Sequence, residues 1–314
     1  MSTSQKGFVT IATGRVEFFI MARNLLLSYR HSSKSPLPFA IICDKQNKYT
    51  ECFDDVVVMP SARKSYIDKL ALTSLAPYEK TLFIDADCLA YRDLNDLWDV
   101  FEGAPAFCAL GHSYPVDYDK GWFVRGDVGE FASRVQFCVN FHGGVYYIDK
   151  AGEGLEEFGQ TVSYINEHYL EYKFRLFPKP ADEPIFALAC SVHGFAPRSG
   201  SSSWVCFLPS SESVEADFSS GDLNYSFINE SSKKKEVKGA YLLHWGHHRR
   251  FWLFLKQSFE MLSLVSDKKT ALNETASFWL AAVFYRLSRI IKKLFPYKIK
   301  RTVFVVYEHF SKLR

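Results

Sequence analysis

The 314-residue sequence contains no run approaching the roughly 18 uninterrupted apolar residues of a membrane-spanning helix. Its start, Met1 to Lys6, leads directly into a strand-like segment with no signal-peptide hydrophobic region. The seven cysteines, at 43, 52, 88, 108, 138, 190 and 206, are scattered singly. No CxxC pair or zinc spacing is formed, so a disulfide framework and a structural zinc site are excluded. Such dispersed thiols are expected to be reduced, which suggests a cytoplasmic address. There is no P-loop, no GxGxxG after the first strand-like segment, and no Ser-His-Asp or Cys-His order of a nucleophilic enzyme. Net charge is only +3, too little to argue for a nucleic-acid partner. Charge is nevertheless unevenly placed. From Ala281 onward nine basic residues accompany one acid, Glu308, so this end carries +8 and residues 1–280 about −5.

What is present is apolar and aromatic. Apolar residues make up 47% of the chain and aromatic residues 16%, enough for a sizeable core. Phe8–Thr13, Phe39–Cys43, Asp55–Met59 and Lys80–Ile84 read as short buried strands. Between them, Phe18–Tyr29 and Ile67–Leu75 read as helices. This alternation predicts a mixed, mostly parallel α/β sheet flanked by helices. Further on, a strand led by Gly143-Gly144 precedes helices over Leu155–His168 and Glu183–Cys190. The Ser-rich stretches Ser199–Ser203 and Ser210–Ser220 read as loops, and Lys233–Lys238 as a charged turn. A strand over Ala240–His244 follows, and from Phe251 the pattern is amphipathic helix to the end, broken at Pro296. Two units are expected: a catalytic α/β domain over 1–252 and a basic amphipathic helical tail over 253–314. In the tail, Phe278, Leu280, Ala281, Phe284, Leu287, Ser288 and Ile291 lie near one face, with Arg286, Arg289, Lys292 and Lys293 elsewhere. Such a helix either lies on an anionic membrane surface or docks on the domain with a solvated basic side.

Ligands of parallel sheets gather at the carboxyl ends of the strands. One such end here is Asp85-Ala86-Asp87. Two carboxylates one residue apart, just beyond an apolar strand, can turn toward one point and offer hard oxygen ligands to Mn²⁺ or Mg²⁺. A solvated strand-end turn would give the same pattern. His244 also ends a strand. A neutral imidazole there serves equally as a lone structural group or as a third ligand beside the carboxylates.

The surroundings of the acidic pair resemble glycogenin-like family 8 retaining glycosyltransferases. The likeness is carried by Asp68-Lys69-Leu70, Pro77 through Asp85-Ala86-Asp87, the turn Asp93–Leu97 and the first strand Phe8–Thr13, and it spans roughly residues 6–252. It implies a GT-A fold, with Asp85, Asp87 and His244 holding Mn²⁺ (or Mg²⁺) and Thr10, Ala12 and Thr13 touching uridine through backbone groups. Lys69 is implied to contact the donor, Asp182 to bond sugar hydroxyls, and Asp85, His142, Gly143, Gly246 and His247 to lie along the nucleotide sugar. The family pattern His-x-x-Gly-x-x-Lys-Pro-Trp aligns His244 with the histidine, Arg250 with the diphosphate-binding lysine and Trp252 with the tryptophan. Gly246 comes one place early, Phe251 replaces the proline, and His142 stands where the family has asparagine. The implied activity is metal-dependent transfer of a hexose from a UDP-sugar donor to a glycan or glycolipid acceptor, with retention, possible at the inner face of a membrane. Two rivals share features: a sugar-phosphate nucleotidyltransferase, of which Gly14-Arg15 is a faint echo, and a non-catalytic sugar-nucleotide-binding protein, to which His142 lends support.

Overall fold

A computed structural model describes residues 5–116, 118, 121–229, 231–246 and 250–294, with side chains described up to residue 283. His247 and the tail's Arg286, Arg289, Lys292 and Lys293 therefore lie outside the described side chains.

The first half of the chain alternates as its periodicity predicts. β1 (Lys6–Ala12) is followed by α1 (Val16–Ser32), β2 (Phe39–Cys43) and β3 (Asp55–Val58). A 3-10 helix over Tyr66–Ala71 runs into α2 (Leu72–Leu75), and β4 (Lys80–Ile84), β5 (Cys88–Ala90) and α3 (Leu97–Val100) come next. β6 (Phe107–Tyr114), β7 (Cys138–Asp149), α4 (Leu155–Glu167) and α5 (Asp182–His193) continue the order. The central six-stranded sheet has the order β3-β2-β1-β4-β7-β6. Its first four strands are parallel, whereas β7 runs antiparallel to both β4 and β6. All five residues of β2 are buried, as expected of a strand covered on both faces.

The second half departs from the expected loops. After α6 (Ser201–Trp204) and β8 (Val205–Phe207), the serine-rich stretch forms β9 (Ser211–Asp217), then come β10 (Asp222–Ile228) and β11 (Lys234–Val237). Composition misled because these strands bury only one face. Tyr225 of β10 sits opposite Val214 and Val237, while serine hydroxyls close the other side through the 2.7 Å Ser213–Ser226 bond. β12 (Leu242–His244) then enters a second small sheet, order β5-β12-β8.

α7 (Phe251–Val265) and α8 (Lys268–Leu294) end the described chain. A break falls at Ser266-Asp267, and the expected break at Pro296 lies outside the described residues. The Asp267 carboxylate accepts from the backbone N–H groups of Lys269 and Thr270, an N-terminal cap for a new helix. The expected boundary at 252/253 lies within the first turn of α7. Phe251, Phe254 and, from α8, Phe278 belong to the same buried cluster as Phe19 and Leu25 of α1. Arg23 of α1 also pairs with Glu274 of α8. A second cluster, on the opposite face of the sheet, holds Phe107, Phe158 and Phe186 beneath α4 and α5. No helix among the described residues is long and apolar enough to cross a membrane.

Candidate functional site

The strand order reverses between β1 and β4, so the loops leaving their carboxyl ends diverge and leave a crevice. A cavity of about 550 Å³ occupies it. Thr13 and Arg15 reach it from beyond β1, Asp85 and Asp87 from beyond β4, and Asp182 from the first turn of α5.

The acidic turn is held by backbone. Asp85 N–H donates to Gly144 O at 3.0 Å and Cys88 N–H to Asp85 O at 3.1 Å. β12 then pairs antiparallel with β5, placing His244 opposite Cys88. That register brings His244 Nε2 to 2.9 Å from Asp87 Oδ1 and 3.8 Å from Asp85 Oδ2. The other Asp87 oxygen accepts from Gly246 N–H at 2.9 Å. Burial opposes a charge on His244, but Asp87 and then Asp85 outweigh it and raise its pKa. The ligand atoms of Asp87, Cys88 and His244 lie within 4.8 Å of one another. Burial, then Asp87, holds the Cys88 thiol well above its ordinary pKa, so it stays protonated and is a poor ligand. Asp87, His244 and Asp85 remain as the donors suited to a cation such as Mn²⁺.

Lys69 lies between two acids. Its Nζ is 2.8 Å from Asp85 Oδ2, 3.3 Å from Asp182 Oδ2 and 3.1 Å from Gly143 O. Burial disfavours the ammonium, yet Asp182 and Asp85 together raise its pKa, so it is charged. Asp182 makes no capping bond on α5; it instead accepts from Tyr146 OH at 2.9 Å. Burial pushes its pKa up, Lys69 pulls it back and Asp85 adds to the rise. Beside it, Glu183 accepts from Gly143 N–H at 2.8 Å and is pushed up to about 7 by burial and then by Asp182.

Two glycines make room for this packing. A Cβ on Gly144 would sit 2.8 Å from His244 Nδ1, and one on Gly143 would sit 2.9 Å from both Glu183 Oε1 and Tyr146 OH. His142 Nδ1 accepts from Gly144 N–H at 3.1 Å, and its ring packs edge to face on Phe207 and His244. Burial, then the neighbouring His244 and Lys69, holds His142 well below the ordinary histidine range, so it is neutral.

The structure thus brings Thr13, Lys69, Asp85, Asp87, His142, Gly143, Asp182, His244 and Gly246 together around one cavity. Thr10 and Ala12 are buried within β1 and do not line it. Arg250 is not among the lining residues either. Its guanidinium donates to Ser211 Oγ and Glu212 O, both at 3.0 Å, because β9, unseen in the sequence, supplies these acceptors. Lys64 and Phe207 line the cavity without having been singled out. Asp68 was quoted only as part of a motif, yet it organises one wall. Its carboxylate accepts from the N–H groups of Arg63, Lys64 and Ser65 and from the Thr13 hydroxyl. The sequence shows only an acid three residues after a serine, a capping-box spacing, which marks a helix start and not the further N–H bonds.

No protein-family model matches the chain, and no curated protein sequence matches it. Solved structures do. The bifunctional glycosyltransferase WbbM superposes with a TM-score of 0.53 at 14% identity, over 87% of this chain and 52% of that one. This chain therefore spans about half of WbbM's length. The galactosyltransferase LgtC, in complex with donor and acceptor sugar analogs, matches at 14% identity and a TM-score of 0.42, over 65% of this chain and 76% of that one. The glycosyltransferase GlyE of Streptococcus pneumoniae matches at 14% identity and 0.41, over 63% and 45%. At such identities the likeness is one of fold: the chain shares the GT-A type of mixed α/β architecture with WbbM.

Proposed function

We propose that the chain is a metal-dependent retaining glycosyltransferase that moves a hexose from a UDP-linked donor to a hydroxyl of a glycan or glycolipid. The observation that carries this reading is the convergence of Asp85, Asp87, His244, Lys69 and Asp182 on one crevice at the point where the strand order reverses. Fold likeness to a glycosyltransferase supports it.

The donor set fits a Mn²⁺ ion. Asp87 Oδ1 and Asp85 Oδ2 flank His244 Nε2, and the imidazole must surrender its Nε2 proton to act as a ligand. When bound, the cation supplies charge neutralisation at the donor's diphosphate. The chain supplies the rest. Lys64 and Lys69 place two ammonium groups on the cavity wall, a role the sequence pattern had suggested for Arg250. Asp182, fixed by Tyr146 and Lys69, presents a carboxylate for sugar hydroxyls. In the transfer, the acceptor oxygen bonds the anomeric carbon while the bond from that carbon to the diphosphate oxygen breaks. The electron pair leaves with the diphosphate, and the acceptor proton passes to the departing phosphate oxygen on the same face. Stabilisation is electrostatic, with no protein nucleophile required.

Screening UDP-hexoses for Mn²⁺-dependent hydrolysis tests this directly. Asp87→Ala is expected to abolish turnover while leaving the circular dichroism spectrum intact; normal turnover in that variant would sink the assignment. A nucleotidyltransferase would instead release pyrophosphate from UTP and a sugar 1-phosphate, which is not expected here.

A further inference from the structure

A second cavity, of about 730 Å³, adjoins the first. His142 and Phe207 contribute to the linings of both. Their rings meet edge to face with centroids 4.0 Å apart, so the two side chains form a partition between the cavities. Because His142 Nδ1 accepts from Gly144 N–H, the ring proton sits on Nε2. That atom is buried and has no hydrogen-bond partner among the described residues. An unused N–H donor therefore lies in the partition itself.

The rest of the second cavity has a recognisable chemistry. Antiparallel pairing sets Tyr225 opposite Val237 and Phe227 opposite Lys235, so these side chains share one face of the β10–β11 hairpin. Ser202 of α6 and Tyr114 of β6 complete the wall. Aromatic rings beside hydroxyl and ammonium groups suit a saccharide, whose ring carbons pack on aromatic faces while its hydroxyls take hydrogen bonds. The volume falls in the range of about 300–1,000 Å³ typical of small-molecule sites. The shared lining sets this cavity directly beside the donor cavity, as transfer requires, since the acceptor hydroxyl must come within bonding reach of the anomeric carbon.

We infer that the second cavity is the acceptor subsite and takes the terminal hexose of a saccharide, with His142 Nε2–H donating to a saccharide hydroxyl at the partition. The inference rests on the donor reading above and adds to it where the acceptor binds and through which groups. His142 is here a positioning residue.

The test uses the full chain, a hydrolysable UDP-hexose and a panel of 4-nitrophenyl α- and β-hexosides as acceptor probes. Ser202→Trp fills the second cavity, and Phe227→Ala and Lys235→Ala strip its wall; none of the three lines the donor cavity. Acceptor-free hydrolysis is expected to stay within about twofold of wild type, while KM for the probe rises by about tenfold or more with little change in kcat. His142→Leu is expected to raise the same KM, and His142→Gln, which retains an N–H donor, to recover part of the loss. Wild-type acceptor KM in all three wall variants overturns the inference. So does a wild-type protein that hydrolyses donor yet binds no probe by saturation-transfer NMR. A wild-type protein that neither binds nor hydrolyses any UDP-hexose defeats the donor reading instead, so the two failures are distinguishable.

Discussion

At the scale of single residues, the site is a set of ionisable groups whose burial is offset unequally. Lys69 and His244 each face two carboxylates, which raise the pKa of both against the cost of burial. Glu183 is compensated less: burial and then Asp182 outweigh the Gly143 N–H bond and the pull of Lys69 and His244, so its pKa lies at about 7 against an ordinary 4.5. Linkage fixes the sign. The folded state holds this proton more tightly than the unfolded chain, so the folded state binds more protons between the two values. Stability from this group is complete below pH 4.5, declines as pH rises toward about 7, and is level above it. The difference in pKa corresponds to a loss on the order of 3 kcal/mol. Thermal melts from pH 5 to pH 8 should therefore show Glu183→Gln falling less steeply than wild type, because the amide still accepts from Gly143 N–H but has nothing to ionise. Parallel curves for the two proteins would show that Glu183 does not titrate in this range.

At the scale of elements, the sequence was informative where local pattern and tertiary role agree. β2 and β4 begin and end where their apolar runs do, because strands buried on both faces leave no ambiguity of period. Asp85, Asp87 and His244 were recognisable as a strand-end cluster, and the β5–β12 pairing sets His244 beside the two acids. Arg250 was misplaced for the opposite reason. Its partners Ser211 and Glu212 lie on β9, a half-buried strand of serines and acids that reads as a loop. Asp68 was legible only in hindsight, since nothing in a helix-start acid reveals that three consecutive N–H groups converge on it. Those bonds hold Lys64 at φ +59°, an uncommon backbone state for a non-glycine residue, and fix the Lys64–Tyr66 wall. Asp68→Asn keeps the shape but loses the charge, which in charged hydrogen bonds is worth about 1.5–3 kcal/mol each. Calorimetric titration with UDP is expected to show binding weakened by about tenfold or more, since a loosened wall must be reordered on binding. Unchanged affinity would mean that this wall does not touch the nucleotide.

At the scale of the whole molecule, the proposal that the basic C-terminal end rests on an anionic membrane surface is open to test. Removing α8 is a poor way to ask, because Ala271 and Phe278 are buried in the main core and Glu274 pairs with Arg23. Truncation would uncover that core and confuse membrane affinity with instability. Neutralising charge avoids this. Each lysine or arginine near an anionic surface contributes about 1 kcal/mol, so replacing Arg286, Arg289, Lys292 and Lys293 with glutamine removes about 4 kcal/mol, a factor of several hundred in partitioning. The unmodified chain is expected to float with vesicles of phosphatidylcholine and phosphatidylglycerol at low salt and to be released at about 0.5 M salt, where screening shortens the reach of charge. It should ignore pure phosphatidylcholine. The four-glutamine variant should remain unbound under all three conditions while hydrolysing donor at the wild-type rate. Equal flotation of the two proteins would assign the +8 end to some other partner and leave the acceptor to arrive from solution.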